Sequence, residues 1–188
     1  MPGHMSHNAI VPWVVAGAAS LVAALIDVRR RRIPNWLTGP LLLGGIVWSI
    51  WMARATGLGD SLLGALIAGG PFIVVWLIGG GGAGDAKMML GLGAWLGWRP
   101  AIVMLLAVAL AGGMLSLGYA IAQRRVQAAL LGTGGAFFSL YEAVTHPNRM
   151  PDPPERIPTL NGTRSVPYGV AIFGGVCAAA AWVILCGI

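Results

Sequence analysis

Five long runs in this chain contain no Asp, Glu, Lys, Arg or His: 9–26, 36–53, 61–84, 101–123 and 166–188. Each is close to the ~20 residues that a helix needs to cross a bilayer. Inside hydrocarbon every backbone N–H and C=O must be paired, so only helices and closed barrels are possible. Barrel strands would alternate polar and apolar side chains over about ten positions, and these runs do not alternate. A sixth stretch, 88–98, is shorter, and Gly84 and Ala86 before it extend it. The reading is an all-α, polytopic membrane helical bundle of about six transmembrane helices, with residues 1–188 forming one integral-membrane domain. Composition agrees: 57% of residues are hydrophobic and 10% are charged, against ~25% charged in a soluble domain.

The charges orient the bundle. The N-terminal "MPGHMSHNAI" has no Lys or Arg, whereas Arg29–Arg32 follow the first apolar run. That order is the reverse of a secretory signal peptide. By the positive-inside rule the chain starts outside and Arg29–Arg32 lie in the cytosol. Alternation then makes 27–35, 79–87 and 123–165 cytosolic. These segments hold ten of the twelve basic residues, and only Arg54 and Arg99 fall outside. Within 123–165, the apolar stretch 126–144 reads as an interfacial or re-entrant helix. The Pro-rich segment after it reads as a solvated loop.

Several other features carry little. Cys177 and Cys186 share one apolar run without CxxC spacing, so they do not resemble a zinc site. His4, His7 and His146 lie in tails or loops. No metal and no cofactor is expected. The Asn161 sequon falls on the cytosolic side. Gly93 and Gly97 form a GxxxG, which in an apolar helix points to close packing. Ten of the twelve basic residues behind the net charge of +6 lie on one membrane face. Orientation and attraction to membrane lipids account for it, so no nucleic-acid partner is expected.

Two acids stand apart. Asp27 ends the first apolar run and Asp85 ends the third. Both runs travel inward, so both carboxylates reach the same membrane depth. Acids at such positions are costly and suggest function. Each also has a plain structural reading: Asp27 as a helix-end acid balanced by Arg30 or Arg31, and Asp85 as the N-cap of a helix starting at Ala86. The strip "GGGGAG" at 79–84 exceeds what a helix end requires. It would let an extended backbone approach Asp85, and it permits positive φ. A carboxylate pair can activate water on one acid while the other, protonated, polarises a peptide carbonyl. The protons belong to the pair, so acid and base are not assigned.

Asp27 to Trp36, "DVRRRRIPNW", followed by Gly82 to Lys87, "GAGDAK", resembles the two aspartate motifs of the type IV prepilin peptidases. These are polytopic aspartic proteases of the GxGD class. "VPYGVAIFGG" at 166–175 resembles the family's C-terminal Pro-Tyr-Gly segment. The resemblance implies catalysis by Asp27 and Asp85, with Gly82 and Gly84 as the GxG shoulder and Lys87 completing the motif. Pro34, Asn35, Pro167, Tyr168 and Gly169 would shape the site or bind substrate. Locally, Pro34 biases Ile33 to extended backbone, and Asn35 is expected to cap the second span.

No CxxC-bearing region precedes the first span. The resemblance is therefore to the short Tad/Flp type, a peptidase without methyl transfer. The expected partner is a prepilin leader with its N-terminal helix, cleaved at the cytosolic face of a bacterial inner membrane. The alternatives are a small proton- or cation-coupled transporter using the same aspartates, and a scaffold subunit. An inverted repeat would favour a transporter, and none is visible.

Overall fold

The computed structural model describes residues 7–77, 82–122 and 168–186. They form five helices: α1 (His7–Arg30), α2 (Asn35–Leu77), α3 (Ala83–Leu96), α4 (Trp98–Ala122) and α5 (Tyr168–Cys186). No strand occurs among the described residues. The interfacial helix expected at 126–144, the loop at 123–165, Gly79 and Pro167 lie outside them.

Four stretches are long and apolar enough to cross a membrane: Ile10–Arg30, Asn35–Leu77, Trp98–Gly118 and Tyr168–Cys186. The expected count of about six is therefore not confirmed, for two reasons. α3 has 14 residues, about 21 Å of helix at 1.5 Å per residue, short of the ~30 Å hydrocarbon thickness. The second and third expected runs are joined in the single 43-residue α2.

α2 is broken where the sequence is most polar. Ala53 (φ −134°, ψ 15°) and Arg54 (φ 53°, ψ −129°) leave the helical region. The limbs on either side, 35–52 and 55–77, both return to α3. In a straight helix Gly45 and Gly64 would stand roughly 28 Å apart. Instead, a Cβ at Gly45 would meet the backbone of Ala94 and Trp95, while one at Gly64 would meet the backbone of Gly93 and Gly97. Hydroxyls from the two limbs converge on one acceptor: Ser61 Oγ donates to the Ala94 carbonyl at 2.9 Å and Ser49 Oγ at 3.5 Å. Trp95 Nε1 donates to the Leu41 carbonyl at 2.7 Å. The Gly93/Gly97 pair is thus a packing surface, as expected of GxxxG.

This arrangement puts the short α3 at the centre of the bundle. Met88, Met89 and Leu92 are fully buried, together with Met104 and Val108 of α4, Ile172 of α5 and Ala16 and Ala23 of α1. The outward faces of the long helices remain apolar, with Leu43, Val47, Leu110 and Leu185 exposed. Lipid is the solvent that suits such faces. Asp60 steadies the end opposite the expected site by accepting the Trp98 N–H at 3.2 Å at the start of α4.

Candidate active site

Asp27 lies inside the last turn of α1, three residues before its end at Arg30. The helix stops because Arg31 turns left-handed (φ 50°) while its N–H still bonds the Asp27 carbonyl at 2.7 Å. A non-glycine residue at positive φ costs about 1 kcal/mol or more. That conformation turns the chain sharply toward Ile33, which is buried. Pro34 then opens α2: its carbonyl accepts from Leu37 and Thr38 N–H. Asn35 is consequently the first helical residue and not the expected cap. Its Oδ1 instead accepts from Lys87 Nζ at 3.0 Å. Lys87 and Asn35, 52 positions apart in sequence, therefore tie the start of α3 to the start of α2.

Asp85 sits in the first turn of α3. The plain structural reading of Asp85 as an N-cap does not hold, because the helix begins at Ala83 with Gly82 as the cap residue in extended backbone (φ −83°, ψ 128°). Gly82 makes no side-chain cap bond. The Asp85 carboxylate lies over it, 3.0 Å from where a Gly82 Cβ would be. Gly84 is helical, so it does not use the positive φ that the glycine strip would permit. Its missing Cβ matters for another reason: that atom would stand 3.1 Å from Ile33 Cβ and 3.4 Å from Ile33 N and O. The backbone that approaches Gly84 belongs to this chain's own α1–α2 turn.

The two acids share a cleft of about 330 Å³, lined by Asp27, Arg31, Arg32, Ile33, Asn35, Gly82, Ala83, Gly84, Asp85 and Lys87. Asp27 is buried, and Asp85 is half-buried. Asp85 lies outside the four candidate spans, and burial pushes its carboxyl up to about 6, with the Asp27 charge adding to the rise. Asp27 has one further partner. The Gly169 N–H, in the first turn of α5, donates to Asp27 Oδ2 at 2.8 Å. A Gly169 Cβ would lie 2.9 Å from Asp27 Cβ and 3.2 Å from Ala24 Cα, so glycine is what lets α5 reach the carboxylate. Helix N-termini carry free N–H groups and partial positive charge, which suit an acid. Tyr168 packs edge-on against Phe72 of α2 (centroids 5.8 Å) and lies against Gly112 of α4, fixing the start of α5.

The structure therefore brings Asp27, Asp85, Gly82, Gly84, Lys87 and Asn35 to one cleft, with Gly169 bonded to Asp27. Pro34 shapes the turn beside the cleft without lining it. Tyr168 does not line the cleft. Sequence reasoning did not assign the Gly169 N–H to Asp27, nor Ile33 to Gly84. Both are contacts between segments far apart in sequence, although Pro-Tyr-Gly beside an apolar run was the signal that marked the first.

An all-helical membrane bundle with two acids in one polar cleft at a helix-end turn defines a narrow class. The family model of the type IV leader peptidases matches residues 14–117, which include Asp27, all of α2, Asp85 and most of α4. The chain belongs to the type IV leader peptidase family, a family of membrane-associated proteases. No curated protein and no solved structure gives a significant match.

Proposed function

We propose that this chain is an aspartic endopeptidase that uses Asp27 and Asp85 to remove leader peptides from type IV prepilin-like substrates. The observation that carries this reading is that both acids line one small cleft although 58 positions separate them. Family membership supplies the reaction class and leaves the transporter alternative without support.

The chemistry follows from the pair. The reaction needs one carboxyl protonated and the other ionised, and burial together with the Asp27 charge raises Asp85 toward the protonated form. The ionised member takes a proton from a water molecule. That water attacks the scissile carbonyl while the protonated member gives its proton to the carbonyl oxygen; as the tetrahedral intermediate collapses, the acid that took the water proton passes it to the leaving nitrogen and the other recovers its own from the intermediate's hydroxyl. No covalent intermediate forms. The Gly169 N–H holds Asp27 in place. The Lys87–Asn35 bond and the Ile33–Gly84 contact hold the α1–α2 turn against α3, so the acids keep their separation. In the orientation that the charge distribution supports, the cleft lies at the cytosolic face of a bacterial inner membrane.

The test is Asp27→Asn and Asp85→Asn in purified protein, with cleavage of a prepilin-type substrate as the readout. Asn keeps the shape and removes the ionisable proton. Each variant should lose at least about 10³-fold in rate, the scale expected for removing an acid–base group that acts as part of a unit. Cleavage within tenfold of the parent by either variant would remove that residue from catalysis.

A further inference from the structure

The run Arg29–Arg32 serves two cavities. Because Arg31 turns left-handed, it leaves the line of its neighbours and faces the aspartate cleft, which Arg32 also lines. Arg29, Arg30 and Arg32 line a second, larger groove of about 610 Å³ with Leu25, Ile26, Ile33, Pro34, Asn35 and Trp36. Neither Asp27 nor Asp85 lines this groove. Arg32, Ile33 and Asn35 form the wall between the two spaces.

The second groove has a graded chemistry. Arg29, Arg30 and Arg32 are exposed. Leu25 and Ile26 stand one helical turn before Arg29 and Arg30 on α1, on the side of the span, and Leu25 and Trp36 are 57% and 65% exposed. It lies where the candidate span Ile10–Arg30 ends and the span beginning at Asn35 starts, which is headgroup depth by construction. Tryptophan is favoured at that depth. Arginine pairs bidentately with phosphate oxygens, and a cluster of basic residues beside a span attracts anionic lipid. A soluble anion would satisfy the arginines and leave the Leu25–Trp36 side uncovered. A phospholipid satisfies both.

We infer that the α1–α2 groove is a binding site for one anionic phospholipid, its phosphate held by Arg29, Arg30 and Arg32 and an acyl chain laid along Leu25, Ile26 and Trp36. The site is separate from the aspartate cleft, and its existence does not depend on the peptidase reading. It gives three of the four arginines a phosphate partner outside the cleft that holds Asp27 and Asp85.

The experiment uses the full chain, purified in non-ionic detergent and stripped of lipid. Dioleoyl phosphatidylglycerol, dioleoyl phosphatidylcholine and inorganic phosphate are titrated separately, with bound lipid counted by native mass spectrometry. Phosphatidylglycerol should bind saturably at one site, at least tenfold more tightly than phosphatidylcholine. The double variant R29Q/R30Q, at two residues that do not line the aspartate cleft, should bind it about thirtyfold more weakly, on the order of fivefold for each arginine lost. The control R54Q/R99Q, at basic residues outside the groove, should bind as the parent does. If the double variant does not fold, judged by helical circular dichroism, the single variants R29Q and R30Q decide it at about fivefold each. Equal binding of the two lipids, unchanged binding by the arginine variants, or an equal loss in R54Q/R99Q would overturn the site. Competition by millimolar inorganic phosphate as effective as that by lipid would overturn the lipid assignment.

Discussion

The contact between Gly169 and Asp27 allows a quantitative test, because it is both a hydrogen bond and a steric fit. In Gly169→Ala the new Cβ would stand 2.9 Å from Asp27 Cβ, 3.1 Å from Oδ2 and 3.2 Å from Ala24 Cα. Asp27 Cβ and Ala24 Cα are fixed by the α1 backbone, so neither can swing aside. The first turn of α5 must therefore retreat from α1 by some tenths of an ångström. The 2.8 Å bond from Gly169 N–H to Asp27 would lengthen accordingly. A hydrogen bond to a charged group contributes about 1.5–3 kcal/mol, and forced overpacking costs about 1–3 kcal/mol.

If roughly 2 kcal/mol of that bears on the orientation of Asp27 in the transition state, cleavage slows about thirtyfold. Gly174→Ala on the same helix is the internal control. Its added Cβ would meet nothing within 4 Å, so it should leave the rate unchanged. The assay is cleavage of a prepilin-type substrate in detergent or proteoliposomes, with kcat and KM separated and helical content checked by circular dichroism. A merely structural Gly169 would lower the folded fraction and leave kcat per folded molecule unchanged. The reasoning fails if folded Gly169→Ala cleaves within twofold of the parent, or if Gly174→Ala loses as much.

Three further outcomes are expected. Gly84→Val should impair cleavage strongly and Gly84→Ala mildly, because one added carbon is tight against Ile33 whereas a branched one must push the α1–α2 turn away; equal activity of the two variants would show that this turn does not set the cleft. Removal of the Lys87–Asn35 bond by Lys87→Met, Asn35→Ala and the double variant should give a coupling of at most about 1 kcal/mol in a thermal-unfolding cycle, since the pair is exposed and surface pairs are screened; a larger coupling would mean that the bond does more than align two helix starts. Tags after Arg32 and near Pro153 should report the cytosol and a tag near Gly57 the outside, as the ten-to-two division of basic residues requires; accessibility of residue 153 from outside would add a crossing within 123–165.

The charge-free runs were enough to make this chain an all-helical membrane protein, because hydrocarbon tolerates no unpaired backbone and the runs do not alternate. The spacing of Asp27, the arginines, Ile33-Pro34-Asn35 and Gly82 to Lys87 was enough to mark the two acids and the family, since local motifs persist in sequence whatever surrounds them. Helix boundaries were less legible. The plain structural alternative for Asp85 makes it the cap of a helix from Ala86, and Asn35 is expected to cap the second span. The actual first residues, Ala83 and Asn35, depend on Gly82 and Pro34 accepting the first backbone bonds, a difference of a turn or less that hydropathy does not resolve.

What only the tertiary structure decided is which distant groups meet. The limbs of α2 fold onto α3 because Gly45 and Gly64 leave room for its backbone. Gly84 is small for Ile33, and Gly169 is small so that its N–H can reach Asp27. A glycine in sequence announces only that a side chain is absent. What occupies the space it leaves depends on the packing of elements far away along the chain.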